Sequence, residues 1–202
     1  MLKTRIAVLV SGGGTNLQAI LDAEKRGEIP DGEIVLVLSN NPDAYALQRA
    51  RDAGVEAVCV SKADFPEQRV REAEMLRILK DRGIGLIVLA GYLSILSKYF
   101  TSEYEERMIN VHPALIPSFC GKGYYGLKVH EAALQYGVKV TGATVHYVNS
   151  VPDGGEIIAQ KAVEILEGDT PETLQKRVMR EAEWVILPKA VETVCKKLRG
   201  KK

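Results

Sequence analysis

The first half of the chain alternates short, continuous apolar runs with stretches whose apolar residues recur at helical spacing. The runs are residues 5–10 (RIAVLV), 33–39 (EIVLVLS), 56–60 (EAVCV) and 86–90 (LIVLA). Between them, Leu17, Ile20 and Leu21 fall on one face of a helix that opens near residue 15. Residues 45–53 read as a second helix, and Val70, Ala73, Leu76 and Leu79 predict one apolar face of a third over 66–82. Continuous apolar strands suit parallel pairing with helices on both faces. The repeating strand–helix order predicts an open, doubly wound sheet with right-handed crossovers.

The second half changes character. Residues 108–111 (MINV) continue the buried-strand pattern, and a glycine- and tyrosine-rich mobile loop (FCGKGYYGLKVH) and a short helix near 131–136 follow. Residues 143–148 (ATVHYV) and 157–163 (IIAQKAV) are separated by the turn PDGG, which predicts an antiparallel pair. Thr170 as N-cap and Pro171 in the first turn start a long C-terminal helix, which Pro188 should bend or interrupt. The expected fold class is α/β: a doubly wound, mostly parallel, Rossmann-like mononucleotide sheet with an antiparallel addition and a long C-terminal helix. No linker or repeat divides residues 1–202, so one domain is expected.

Composition narrows the function. With 46% apolar and 26% charged residues the chain is an ordinary globular one, and its net charge of +1 gives no footprint for nucleic acid or an anionic membrane. No apolar run approaches the length of a membrane span. The basic, apolar N-terminus resembles a signal peptide only superficially and reads as the first strand. Cys59, Cys120 and Cys195 are scattered and odd in number, so a reducing cytoplasm is the default compartment. A zinc site from Cys120 and His112 lacks the usual paired ligand spacing. No metal is expected, and a homodimer is compatible with this composition.

Two places carry candidate chemistry. Ser11-Gly12-Gly13-Gly14-Thr15-Asn16 joins the first strand to the first helix, where glycines let backbone N–H groups approach an anion and the helix N-terminus favours negative charge. The pattern is neither G-x-G-x-x-G nor a Walker loop, so a single phosphate monoester is the expected ligand; the bland alternative is a tight turn capped by Thr15 or Asn16. The second place is NVHPALIPSF. Asn110 and His112 are two residues apart at a strand end, so their side chains share a side, and Pro113 and Pro117 restrict the chain beyond them. Open α/β sheets bind ligands at such carboxyl ends. Asp153 in PDGG, if near His112, would favour the protonated imidazole. His130 and His146 are read as structural or supporting.

These segments, SGGGTNLQAI, AGYLSIL, NVHPALIPSF, GATVHYV and PDGGEII, resemble phosphoribosylglycinamide formyltransferases, folate-dependent enzymes of de novo purine synthesis, in the right order from Ile6 to about Val191. The resemblance implies that Asn110, His112 and Asp153 are catalytic. It implies that Gly13, Gly14, Thr15 and Asn16, with Glu183 of AEWVILP, bind the ribonucleotide, and that the co-substrate is 10-formyltetrahydrofolate. The folate is expected against Leu93, Ser94, Ile95, Leu96 and Asn110, with Arg69 or its neighbour Gln68 on the same side and His146 in support. Some members have arginine at the position of Ser94, and the histidine that usually follows the family glutamate is Trp184 here; the loop 118–128 is longer than in some members. On this reading, residues 1–100 are roughly the phosphate-binding half and 101–202 the catalytic and folate half.

Other formyl-group enzymes share the Asn–x–His core. Methionyl-tRNA formyltransferase is expected to add a C-terminal RNA-binding domain and a more basic surface. Formyltetrahydrofolate deformylase, whose acceptor is water, is expected to add an N-terminal regulatory domain and has no use for a phosphate turn. A non-catalytic mononucleotide-binding module would explain the glycine turn but not Asn110, His112 and Asp153 together.

Overall fold

The structure, a computed structural model, describes residues 2–200. Among them, seven strands form one sheet: β1 (Thr4–Val10), β2 (Gly32–Ser39), β3 (Glu56–Cys59), β4 (Leu86–Leu89), β5 (Met108–His112), β6 (Val140–Tyr147) and β7 (Ile157–Glu164). Their order is β3-β2-β1-β4-β5-β6-β7. The pairs from β3 through β5 are parallel, whereas β5–β6 and β6–β7 are antiparallel, as the alternating and then hairpin-like sequence pattern predicts. The helices are α1 (Thr15–Lys25), α2 (Tyr45–Asp52), α3 (Gln68–Asp81), α4 (Lys98–Glu103), α5 (Leu127–Tyr136), α6 (Pro171–Val178) and α7 (Trp184–Gly200).

Each apolar run feeds two cores. Ile6, Val8 and Val10 of β1, with Leu86 and Val88 of β4, pack under α1 and α7; Ala7 and Leu9, with Ile87 and Leu89, pack under α3 and α4. Burial on both faces is why these strands are apolar throughout. From β1 the chain passes outward to β2 and β3, then returns through α3 to β4 on the other side of β1. That reversal opens a crevice at the carboxyl ends of β1 and β4, the place where such sheets bind ligands.

Three local expectations change. In α3, Val70 and Ala73 are exposed, and the buried face is Met75, Leu76, Ile78 and Leu79 together with Glu72. Successive steps of three drift around a helix of 3.6 residues per turn, so the true stripe leaves Val70 behind. Helix α5 begins at Leu127, four residues earlier than the sequence pattern places it. Pro188 lies inside α7 without interrupting it. The irregularity falls just upstream, in a π-helical turn over Met179–Glu183. The start of α6 is as expected: Thr170 accepts from the Thr173 N–H in a capping box, with Pro171 following.

Candidate active site

A cleft of about 600 Å³ opens at the switch point, and Asn16, Asn110, His112, His130, Asp153 and Glu183 all line it. Behind Asn110 a smaller cavity of about 130 Å³ is walled by residues including Ser94, Leu96, His146 and Val148. Asn110 and Asp153 border both spaces, so whatever occupies one meets whatever occupies the other across these two side chains.

Strand geometry assembles the centre. The period of β5 sends Asn110 and His112 to the same side, and the antiparallel register sets Asn110 opposite His146. Asn110 Nδ2 lies 3.2 Å from His146 Nε2, while His146 Nδ1 meets the Tyr147 carbonyl at 2.8 Å. A carbonyl can only accept, so Nδ1 carries the proton and Nε2 accepts from the Asn110 amide. The turn between β6 and β7 returns Asp153 to the pair with a φ of 54°, a left-handed conformation that aspartate tolerates better than most side chains. Its oxygens sit 3.5 Å from His112 Nδ1 and 3.5 Å from His146 Nε2. The loop after β5 completes the frame: His112 Nε2 donates to the Phe119 carbonyl at 2.8 Å, and the Gly121 N–H donates to Asp153 at 2.8 Å. Those two backbone groups had no signal in the sequence, because neither depends on a side-chain type.

Burial sets the protonation states. It lowers the pKa of His112 below its ordinary value, against the opposing pull of Asp153 and the Phe119 carbonyl. The Asp153 carboxylate favours the protonated ring, as the sequence suggests, but desolvation outweighs it. For Asp153, burial pushes upward most strongly, yet the Gly121 N–H and the pull of a neighbouring imidazole once it is protonated outweigh it and hold the carboxyl below its usual range. A neutral imidazole with its proton on Nε2 therefore presents Nδ1 to an ionised Asp153.

The glycine turn joins β1 to α1, where the sequence places it. Helix α1 has no side-chain cap, so neither Thr15 nor Asn16 plays the bland capping role. Gly14 takes a φ of 73°, and a Cβ there would lie 2.6 Å from the Ala46 Cβ of α2, whereas Gly12 and Gly13 face open space. Of this turn, Asn16 lines the cleft. Its amide Nδ2 lies 2.5 Å from Glu183, which is buried and whose carboxyl burial pushes up to about 7. The π-helical turn places Glu183 on this inner side.

On the other side of Asn110, Leu93 and Ile95 are 64% and 65% exposed at the cleft mouth, Ser94 and Ile95 border both spaces, and Leu96 borders the inner one. Their loop is tied at several points. Ser11 Oγ accepts from the Leu93 N–H, Asn40 donates to Ser94 Oγ, and Gln68 donates to the Ile95 carbonyl. The buried Glu72 accepts from Gln68, the Ser97 N–H and the Ser97 hydroxyl. Arg69, expected on the folate side, instead stacks over Tyr99 at 3.4 Å and lines neither space. The neighbouring Gln68 is the residue that reaches the loop. Sequence reasoning missed Glu72, although a charge four residues before Leu76 on an apolar stripe was the available signal. Among the described residues no group of three or more His, Cys, Asp or Glu is poised for a metal ion, and Cys120 Sγ turns to the Pro117 carbonyl.

Comparison with known proteins agrees with this architecture. The formyl transferase family pattern matches residues 4–191. The chloroplastic phosphoribosylglycinamide formyltransferase of Arabidopsis thaliana is 37% identical over 96% of this chain, which spans 66% of that relative. The trifunctional purine biosynthetic protein adenosine-3 of Drosophila melanogaster is 40% identical over 94% of this chain, which spans 14% of it. The crystal structure of glycinamide ribonucleotide transformylase 1 from Symbiobacterium toebii superposes with a TM-score of 0.90 at 42% identity, covering 96% of this chain and 89% of that one. Fold, matched span and identity converge: this chain belongs to the formyl transferase family, among the phosphoribosylglycinamide formyltransferases.

Proposed function

We propose that this protein transfers the formyl group of 10-formyltetrahydrofolate to the amine of glycinamide ribonucleotide, a step of de novo purine (IMP) synthesis. One observation carries the reading: Asn110, His112 and Asp153 meet where two spaces join, with the polar Asn16–Glu183 end on one side and a narrow, largely apolar cavity on the other. The cavity suits the flat ring of a folate, with Leu96 and Val148 along its walls. The folate supplies the activated formyl carbon; the remaining work falls to the chain.

Asn110 spends one N–H on His146, and its second stabilises the oxyanion that forms when the acceptor amine attacks the formyl carbon, the step that preorganised donors accelerate most. His112, neutral and with Nδ1 free of a proton, takes the proton released by the amine. Asp153 then stabilises the imidazolium and assists its delivery to the leaving nitrogen of the folate. No covalent enzyme intermediate is required. At the far end, Gly13, Gly14, Thr15 and the uncapped first turn of α1 hold the phosphate, and Asn16 and Glu183 hold the sugar side of the ribonucleotide.

The deciding experiment is a formyl-transfer assay with three acceptors: glycinamide ribonucleotide, initiator methionyl-tRNA and water. Transfer to the ribonucleotide alone is expected. Folate-dependent formate release without ribonucleotide would replace this reading with a deformylase, and formylated tRNA would replace it with the tRNA enzyme.

A further inference from the structure

His130, in the first turns of α5, has no part in the chemistry described so far. Its side chain is fully buried, yet neither ring nitrogen has a hydrogen-bond partner among the described residues. Leaving such a group unpaired costs stability, and an imidazole retained in that state calls for a role. The location supplies one. His130 lines the larger cleft with Asn16, Gln175, Met179 and Glu183, and it does not border the inner cavity beside Leu96. Asn16, whose Oδ1 is also buried and unpartnered, lines the same cleft. The unpaired polar atoms thus gather at the end assigned to the amine acceptor.

We infer that His130 is a direct contact for the acceptor substrate: one ring nitrogen accepts a hydrogen bond from an N–H of the acceptor's glycinamide group, on the side of the amine away from the folate. This rests on the function proposed above and adds a residue to it. A neutral ring suits the task, since it orients the amine without repelling it or competing with His112 for its proton. Burial, with a smaller push from the nearby His112, holds the pKa of His130 down to about 4, so the ring stays neutral wherever the amine is reactive. The same reasoning explains why an apolar residue would pack here and still fail: it would leave the acceptor N–H unpaired in a closed site.

The test compares wild type with His130→Leu and His130→Gln in three measurements: thermal melting, calorimetric titration with glycinamide ribonucleotide, and steady-state formyl transfer. His130→Leu is expected to melt at or above the wild-type temperature, because an unpaired buried polar group is removed. It should nevertheless bind the ribonucleotide and use it at least about tenfold less well, with KM for the folate unchanged. His130→Gln, which restores a donor and an acceptor, should recover part of the loss. Wild-type ribonucleotide affinity and kcat/KM in a folded His130→Leu would overturn the inference and leave the proposed function standing. If His130→Leu does not fold, His130→Gln decides: KM for both substrates equal to wild type, with only a lowered melting temperature, would overturn the inference in favour of a structural role. A wild-type protein that neither binds nor formylates the ribonucleotide would overturn the proposed function, and this inference with it.

Discussion

At His112 the Phe119 carbonyl decides which nitrogen carries the proton, and burial decides that the ring is uncharged at rest. Removing either partner of the His112–Asp153 pair should therefore act on turnover and spare the distant ribonucleotide end. We expect His112→Ala and Asp153→Asn to lower kcat by roughly 10²–10⁴-fold, with ribonucleotide Kd nearly unchanged in calorimetry. Near-normal turnover in either variant would refute the assignment. Because the pKa of His112 is depressed from 6.5, its base form persists below that pH. Turnover should hold as the pH falls to 6.5 and collapse only at lower pH; a decline that is half complete at or above 6.5 would contradict a depressed His112. Glu183 behaves in the opposite sense. Its pKa is raised from 4.5 to about 7, so its contribution to stability is complete below about 4.5 and is lost as pH rises through about 7. Glu183→Gln should then stabilise the fold at pH 8, by up to roughly 3 kcal/mol, and by almost nothing at pH 4.5, while weakening ribonucleotide binding. Melting curves across that pH range check the sign, and a gain that grows toward acid would contradict it.

Among the elements, the first βα turn separates two roles that its glycines share in sequence. Gly14 is fixed by its φ of 73° and by the Ala46 Cβ, so Gly14→Val mainly forces α2 away and should cost more than about 1 kcal/mol of stability. It is therefore a poor probe of an anion site. Gly13 meets nothing within 4 Å, and Gly13→Ala should leave the melting temperature unchanged. Any rise in KM for the ribonucleotide in that variant then reports the phosphate cradle itself; an unchanged KM would argue against phosphate binding here. The strands and most helices of this region were legible because continuous apolar runs and a glycine turn are properties of composition. The inner face of α3 was not: Glu72 interrupts the stripe, and its burial depends on Ser97 and Gln68 arriving from other parts of the chain. The misplaced start of α5 has a similar origin, since Gly126 and the aromatic contacts of Phe119 with Tyr124 and Tyr136 organise a segment whose composition reads as loop.

For the molecule as a whole, the two halves each hold part of the site and are tied across it. Asn16 from the first βα turn bonds Glu183 from the C-terminal helical run, and α1 packs on α7. The meeting of Asn110 with His112 could be read from strand periodicity, and the return of Asp153 from the antiparallel pair. The supporting carbonyl of Phe119, the N–H of Gly121 and the unpaired His130 could not, because they follow from where the loop after β5 settles. The return of Asp153 depends on a close crossing at the base of the β6–β7 hairpin. There the Tyr147 N–H bonds the Glu156 carbonyl at 2.8 Å, and a Cβ on Gly155 would come within 1.7 Å of the Tyr147 carbonyl oxygen. Gly155→Ala must therefore move the chain two residues after Asp153 while leaving both cores and the first βα turn untouched. A displacement of about 1 Å at a catalytic group costs on the order of a hundredfold in rate. We expect Gly155→Ala to remain folded by circular dichroism and to keep its ribonucleotide affinity, with kcat falling by about that factor. If kcat stays at the wild-type level, the hairpin crossing is not what sets Asp153 against His112, and the Gly121 N–H must hold it alone.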